Sequence, residues 1–306
     1  MSNHSLRHWL MMAFLVLSWA SAIMLTRVAV TDLSPLWVTS GRLVTGAIVL
    51  ILYRTLFVKA RWSLRWHHAP WVLWLALLSS AIPFFLIAWG TQYASSAIAG
   101  ILMGTIPLSV LGFAHLFLPD EKFSKNKAVG FMIGFVGLLL IIKPGAETIA
   151  AEHRMELIGI LAIFIASLCY ALNSVVTRKM PAASNVDKAT AVVTTAAILL
   201  LLMTLSLEPA SSISSAPIMS WIILTYLGVV PTASASLVLF VLLSQTTASF
   251  VAMNNYIIPV CTAFGGVFFL GETLPINAWL GMVVILLGLA ISERRPKIKN
   301  ASGQAT

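Results

Sequence analysis

One passage of this chain occurs twice. Residues 95–142 read as an apolar span, a short charged break and a second apolar span, and residues 247–292 repeat that order. Pro107 answers Pro259 at a separation of 152; Glu121 answers Glu272, Gly130 answers Gly281 and Gly137 answers Gly288 at 151. The register reaches back to the opening of each half. Trp19-Ala20 with Thr26-Arg27 matches Tyr170-Ala171 with Thr177-Arg178, again 151 apart. A long repeat made of apolar spans constrains the fold to a membrane protein of two related halves.

Composition agrees. Of the 306 residues 59% are hydrophobic and 9% charged, with mean hydropathy +0.95. A soluble domain carries about 25% charged residues, so a soluble protein with a giant core would lack the polar surface to cover it, and the surface must face lipid. The net charge of +9 raises nucleic acid as a partner, but the basic residues cluster between spans, so topology accounts for them and no nucleic-acid partner is expected. Cys169 and Cys261 fall inside apolar spans and offer neither a disulfide framework nor metal-ligand spacing. They read as space-filling residues, and no cofactor or metal is expected. The first apolar stretch lacks a small-residue cleavage site and more spans follow, so it reads as a retained helix rather than a signal peptide.

A crossing helix needs about 20 apolar residues. Ten stretches qualify: Trp9 to Val30, Pro35 to Phe57, Pro70 to Gln92, Ser96 to Leu118, one ending near Ile142, Glu156 to Val176, Lys188 to Leu207, Met219 to Leu243, Thr247 to Leu270 and Asn277 to Ile291. The expected fold is therefore an all-α integral membrane protein of ten transmembrane helices. Its halves are 9–142 and 156–292, with a connector at 143–155 and a tail at 293–306. Five spans per half is odd, so the second half enters from the opposite side and the repeats are inverted. With the N-terminus in the cytoplasm, fifteen Lys and Arg fall on the cytoplasmic side and two, Lys143 and Arg154, on the other; Arg27 and Arg42 lie within spans. That bias is a positive-inside signal and places both termini in the cytoplasm.

Pro83, Pro107, Pro231 and Pro259 interrupt spans. Each removes a helical hydrogen bond, and in a membrane the freed carbonyl must be covered by protein or face a cavity. They read as hinges lining a cavity or as plain kinks. Small-residue faces at Gly100 and Gly104, at Gly130, Gly134 and Gly137, and at Gly281 and Gly288 let helices approach closely. Packing within one protomer, hence a monomer, is the simpler reading; a dimer seam is the other. Nothing in the chain composes an enzyme: there is no glycine-rich phosphate loop after a strand, no histidine-rich metal cluster and no nucleophile elbow.

The chain resembles the EamA-type family of the drug/metabolite transporter superfamily. The resemblance runs from Trp9 to Ser292 and rests on the W-A-x6-R opening at Trp19 to Arg27 and the S-P-L-x5-R run at Ser34 to Arg42. It also rests on the A-x7-P element ending at Pro107 and its A-x6-P counterpart ending at Pro259, and on G-E-T-L-x6-G at Gly271 to Gly281, where the first half has Asp120-Glu121-Lys122-Phe123. The resemblance implies alternating access through a central cavity lined by helices one to four and six to nine, with five and ten packed outside. Within the family the chain is similar to amino-acid exporters of the YddG type. The implied activity is export of aromatic or other neutral amino acids and related metabolites across the bacterial inner membrane. The implied partners are a small solute and membrane lipids. Export of drugs or toxic metabolites is the alternative within the class; a structural or signalling membrane protein is the alternative outside it.

Arg42 is the sharpest candidate for the solute site, because a charge inside a span must face protein or water. It could meet a substrate carboxylate or order the bundle through backbone carbonyls. Asn173, Asn254 and Asn255 are amides whose burial without partners would be costly, facing either a cavity or a neighbouring helix. Trp19, Trp89, Tyr93 and Tyr170 could form an amphipathic wall, and Met103 and Met253 an adaptable one, with ordinary core packing as the plain alternative. All ten acids fall in loops or at span ends, which disfavours a proton pump built on a mid-membrane carboxylate. Sodium could still bind at unwound backbone carbonyls; facilitated export of a neutral or zwitterionic solute is the simplest mechanism.

Overall fold

The computed structural model describes residues 5–117, 125–142 and 151–292, and among these it is all helix and turn. The spans are α1 (Leu6–Ala29), α2 (Pro35–Phe57), α3 (Trp66–Gly90), α4 (Ser96–Phe117), α5 (Lys125–Ile142), α6 (Ala151–Lys179), α7 (Asn185–Leu207), α8 (Ile218–Gln245), α9 (Phe250–Leu270) and α10 (Ile276–Ser292). Among the described residues nine helices are long and apolar enough to cross a membrane. The tenth, α10, has 17 residues, about 25 Å at 1.5 Å per residue, a little less than a hydrocarbon core of about 30 Å. The face carrying the start of α1 and the end of α10 is called here the terminal face, and the other the far face. Asp120-Glu121-Lys122-Phe123, most of the connector and the tail lie outside the described residues.

Local chemistry sets the helix starts. Ser34 caps α2 by accepting from the Trp37 amide at 3.3 Å, with Pro35 in the first turn where its missing N–H costs nothing. Ser95 and Thr247, 152 residues apart, cap α4 and the short turn Ala248–Ala252 that leads α9 by accepting from Ile98 and Phe250. Gly271 ends α9 in the left-handed region (φ 65°), which a glycine adopts without a Cβ penalty.

The repeats interlock. Helices at equivalent positions pack on one another as α2 with α7, α4 with α9 and α5 with α10; α1 crosses onto α8 and α9 of the other half, while α6 crosses onto α3 and α4. Phe268, Phe269 and Ile276 point outward from α9 and α10, a distribution that hydrocarbon tolerates and water would not.

The closest seam joins α5 to α10, and glycines make it. A Cβ at Gly288 would stand 2.6 Å from the Gly130 carbonyl oxygen, and Cβ atoms at Gly137 or Gly281 would each stand 2.8 Å from the other's carbonyl. The small-residue faces read from the sequence are thus spent inside the protomer. Gly100 does the same for α4 against Thr262 of α9. Replacing Gly288 by alanine should lower stability by about 1–3 kcal/mol, the usual cost of overpacking. Thermal unfolding in detergent measures this, and an unchanged midpoint would mean that the seam yields freely.

Both helices that begin the interior-proline pattern widen into a π-helical turn at equivalent places. In α3 this is Leu77–Ala81, just before Pro83; in α8 it is Gly228–Ser234, containing Pro231, and the two start 151 residues apart. A proline ring clashes with the carbonyl four residues back, and one inserted residue relieves the clash. The other proline pair breaks asymmetrically. α4 turns at Gly104–Thr105, just before Pro107, whereas the α9 segment turns at Met253, six residues before Pro259.

These breaks shape the bundle. Toward the far face α4 and α9 stay together: Gly266 lies against Ser96 and Ala97, Gly100 against Thr262, and Gly104 against Pro259. Beyond Gly104 they part. The distal half of α4 (Ile106–Phe117) leans on α6 and α5, with Thr105 Oγ1 3.0 Å from Ser167 Oγ and Leu108 tight against Gly134. The start of the α9 segment instead joins α1, where the Trp9 and Phe250 rings sit edge to face with centroids 5.0 Å apart. The pair therefore closes at the far face and splays at the terminal face.

Candidate solute site

Arg42 sits in α2 and is 8% exposed. Its Nε donates to Thr232 Oγ1 at 2.9 Å, and its guanidinium carbon lies 3.8 Å from the centre of the Phe84 ring. Thr232 can serve because its own hydroxyl proton goes to the Leu227 carbonyl at 2.7 Å. That carbonyl would be helix-bonded to residue 231, but Pro231 has no N–H. The proline thus leaves an acceptor, the threonine fills it, and the threonine's lone pair receives the arginine. Gly46 and Gly228 let α2 and α8 come close enough for this, and Thr45 ties them further through a 3.3 Å bond to the Leu224 carbonyl.

Two more predicted residues join the cluster. Trp19 of α1 donates from Nε1 to the Pro231 carbonyl at 3.3 Å, next to Thr232. Tyr170 of α6, its repeat counterpart, lies within electrostatic reach of Arg42. Five helices from both halves therefore converge. The terminal Nη atoms of Arg42 have no acceptor among the described residues, and the guanidinium has no carboxylate partner there. A cation stacked on an aromatic ring and held by one hydrogen bond is oriented but not neutralised. The cluster is also unduplicated: Arg42, Thr232 and Phe84 correspond in the other half to Val193, Ala81 and Ala235.

Other sequence candidates fall elsewhere. Trp89 and Tyr93 pair with each other, centroids 5.1 Å apart, at the far-face end of α3, and Tyr93 is 40% exposed beside Gly159 of α6. The turn ending α3 carries Tyr93 to the exposed edge of the bundle, while Trp89 is half-buried. Met103 packs in the core with Ile98 and Leu102, the plain alternative for this residue, since the break at Gly104 keeps it in the part of α4 that meets α9. Met253 packs with Trp19 against Phe250 and Leu242. Asn254 is 3% exposed, and neither side-chain polar atom has a hydrogen-bond partner among the described residues. Asn173 and Asn255 are half-buried. Sequence reasoning missed Phe84 and Thr232. Each directly follows an interior proline, which was the available signal.

Polar ties also fix the ends of the helix pairs. At the terminal face Arg54 Nε bonds Asp187 in a buried ion pair joining the C-terminus of α2 to the N-terminus of α7, where each charge suits its helix end. Asp187 Oδ2 also accepts from the Ser63 amide and hydroxyl at 2.7 and 2.6 Å. At the far face Ser34 donates to Glu208 and Ser220 to Asp32. Glu272, just after Gly271, caps α4: Oε1 accepts from the Ser96 amide at 2.7 Å, and Oε2 from the Ser96 hydroxyl and the Ala97 amide, both at 2.9 Å.

The EamA-like transporter family model matches residues 7–143 and again 157–293, and the chain belongs to that family: a multi-pass membrane transporter and not an enzyme. It is 26% identical over 275 residues to the "Uncharacterized transporter YoaV" of Bacillus subtilis, covering 89% of this chain and 92% of the relative. It is 25% identical to the "Uncharacterized transporter YvbV" of the same organism, covering 96% and 93%. An "Uncharacterized transporter" of Archaeoglobus fulgidus is 24% identical, covering 95% and 100%. A solved structure titled "Crystal structure of protein" superposes with TM-score 0.64 at 19% identity, covering 94% and 97%, and shares the fold.

Proposed function

We propose that this transporter exports neutral amino acids, aromatic ones foremost, across the bacterial inner membrane by alternating access. One observation carries the reading: Arg42 is a buried guanidinium with its terminal nitrogens uncommitted and no carboxylate against it among the described residues. A charge in such a place needs a counter-ion, and a solute carboxylate supplies one through paired N–H donors. Phe84, Trp19 and Tyr170 offer apolar area to the rest of the solute. Asparagine and hydroxyl groups suit a zwitterion better than a polyanion. The splay of α4 from α9 is the opening at the terminal face. The basic bias of the loops makes that face cytoplasmic, so the arrangement favours loading from inside. The protein works as a monomer, its glycine seams being consumed within one chain.

Proteoliposomes loaded with a labelled amino-acid panel test the reading. Protein-dependent efflux of at least one neutral amino acid is the expected result. Flux confined to amphipathic cations, or no flux at all, would overturn it.

A further inference from the structure

At the side of the bundle a cavity of about 240 Å³ opens between the distal half of α4, α5 and α6. Its walls include Leu108, Phe113, Phe131, Leu138 and Phe164, and Thr105 and Ser109 bring its two side-chain hydroxyls. The Thr105 hydroxyl already meets the Leu102 carbonyl at 2.6 Å and Ser167 at 3.0 Å. Two rim residues, Leu116 and Phe135, are 73% and 45% exposed, so the cavity faces the surrounding hydrocarbon.

The repeat shows that this cavity is a feature of one half. Gly112 corresponds, 152 residues on, to Phe264, whose ring centroid is 5.1 Å from that of Trp279. Gly134 corresponds, 151 residues on, to Ile285, which is 1% exposed in the core. Large side chains occupy in the second half the positions held by glycine in the first. A Cβ at Gly112 would meet only the Phe131 ring edge at 3.5 Å, an ordinary contact. Gly134 is different, since Leu108 already fills the place of its Cβ.

We propose that this cleft holds one acyl chain of a membrane phospholipid with an anionic headgroup. The volume is below the range of about 300–1,000 Å³ typical of drug-sized ligands. An amino-acid solute would leave its charged groups unpaired against these walls. Part of a hydrocarbon chain suits both limits, because it can enter through the side that opens onto hydrocarbon at Leu116 and Phe135 while the rest stays in the bilayer. Lys125, exposed, opens α5 on the terminal face, at the end of the cleft marked by Leu116 and Phe131. A lysine at that level attracts an anionic headgroup. The chain lies behind the half of α4 that leans away from α9, and so supports the splayed arrangement.

The test uses the full chain in vesicles containing phosphatidylglycerol with a photoreactive diazirine on one acyl chain, with adducts mapped by peptide mass spectrometry. Adducts should concentrate at residues 105–116 and 131–138. In Gly112→Phe they should fall by about tenfold, the effect of withdrawing roughly two methylenes from the cleft. Gly112→Leu provides a smaller plug if the phenylalanine variant unfolds, and the unfolding midpoint of each variant reports that. Unlabelled phosphatidylglycerol should compete about fivefold better than phosphatidylcholine, the effect of one lysine near an anionic surface. Adducts spread evenly over the lipid-facing helices, or unchanged in both folded variants, would overturn the site. Equal competition would overturn the headgroup assignment.

Discussion

Replacing Arg42 by glutamine should cut efflux of an amino acid at subsaturating concentration by about 10²- to 10³-fold, the effect of truncating one partner of a buried charge pair. Efflux of the corresponding decarboxylated amine should change by no more than about twofold, because the lost interaction is with the carboxylate. Arg42→Lys keeps the charge but loses the planar fork and the stacking on Phe84, so it should rescue little. Thr232→Val removes the acceptor that aims Nε and should weaken binding by about tenfold, one charge-assisted hydrogen bond. The comparison of acid with amine separates two roles. A guanidinium that merely braces α2 against α8 would, on removal, impair both solutes equally in a protein that still folds. That outcome would assign Arg42 to the architecture and remove the support for a carboxylate substrate.

What the sequence could convey here follows from what repeats in it. Duplication and span length are one-dimensional signals, so the ten helices and the inversion were legible from Pro107 and Pro259, Gly130 and Gly281, and the loop charges. The glycine faces of α5 and α10 were legible as close-packing surfaces, but not their pairing with each other, because a dimer seam needs the same spacing. The site was legible only in part. Arg42 stands out as a charge within an apolar span, but its partners Phe84 and Thr232 lie 42 and 190 residues away and are ordinary residue types in such spans. Their position depends on where α3 and α8 widen by one residue, which neither composition nor periodicity encodes. The surroundings of Tyr93 and Met103 were illegible for the same reason: a turn after Gly90 and a break at Gly104 decide which way each faces. Arg54 reads as a loop charge until Asp187, 133 residues on, is brought against it.

Glu272 should act on the far-face closure. Its carboxylate takes three hydrogen bonds at the N-terminus of α4, where orphan amides and the helix dipole favour a negative charge. The left-handed Gly271 turns the chain so that it reaches them, and Gly266 leaves room, since a Cβ there would overlap the Glu272 carboxylate. The contact ties the α9–α10 turn to α4 across the repeat boundary and exists only while those ends are together. In alternating access it therefore stabilises the conformation closed at this face and not the one open there. Losing it as a helix cap with charge-assisted bonds amounts to about 3 kcal/mol, which shifts a two-state equilibrium by about 10²-fold. Thr262→Cys, in a chain with Cys169 and Cys261 replaced by serine, reports the opening, because Thr262 is fully buried between α4 and α9 against Gly100. Adding Glu272→Ala should raise its labelling by an impermeant maleimide from the far face by about tenfold or more. Glu272→Gln, which keeps one acceptor oxygen, should fall between. If labelling in a folded Glu272→Ala variant stays at the parent rate, the carboxylate is a helix cap with no part in the gate, and far-face closure rests on the packing of Gly100 and Gly104 against Thr262 and Pro259.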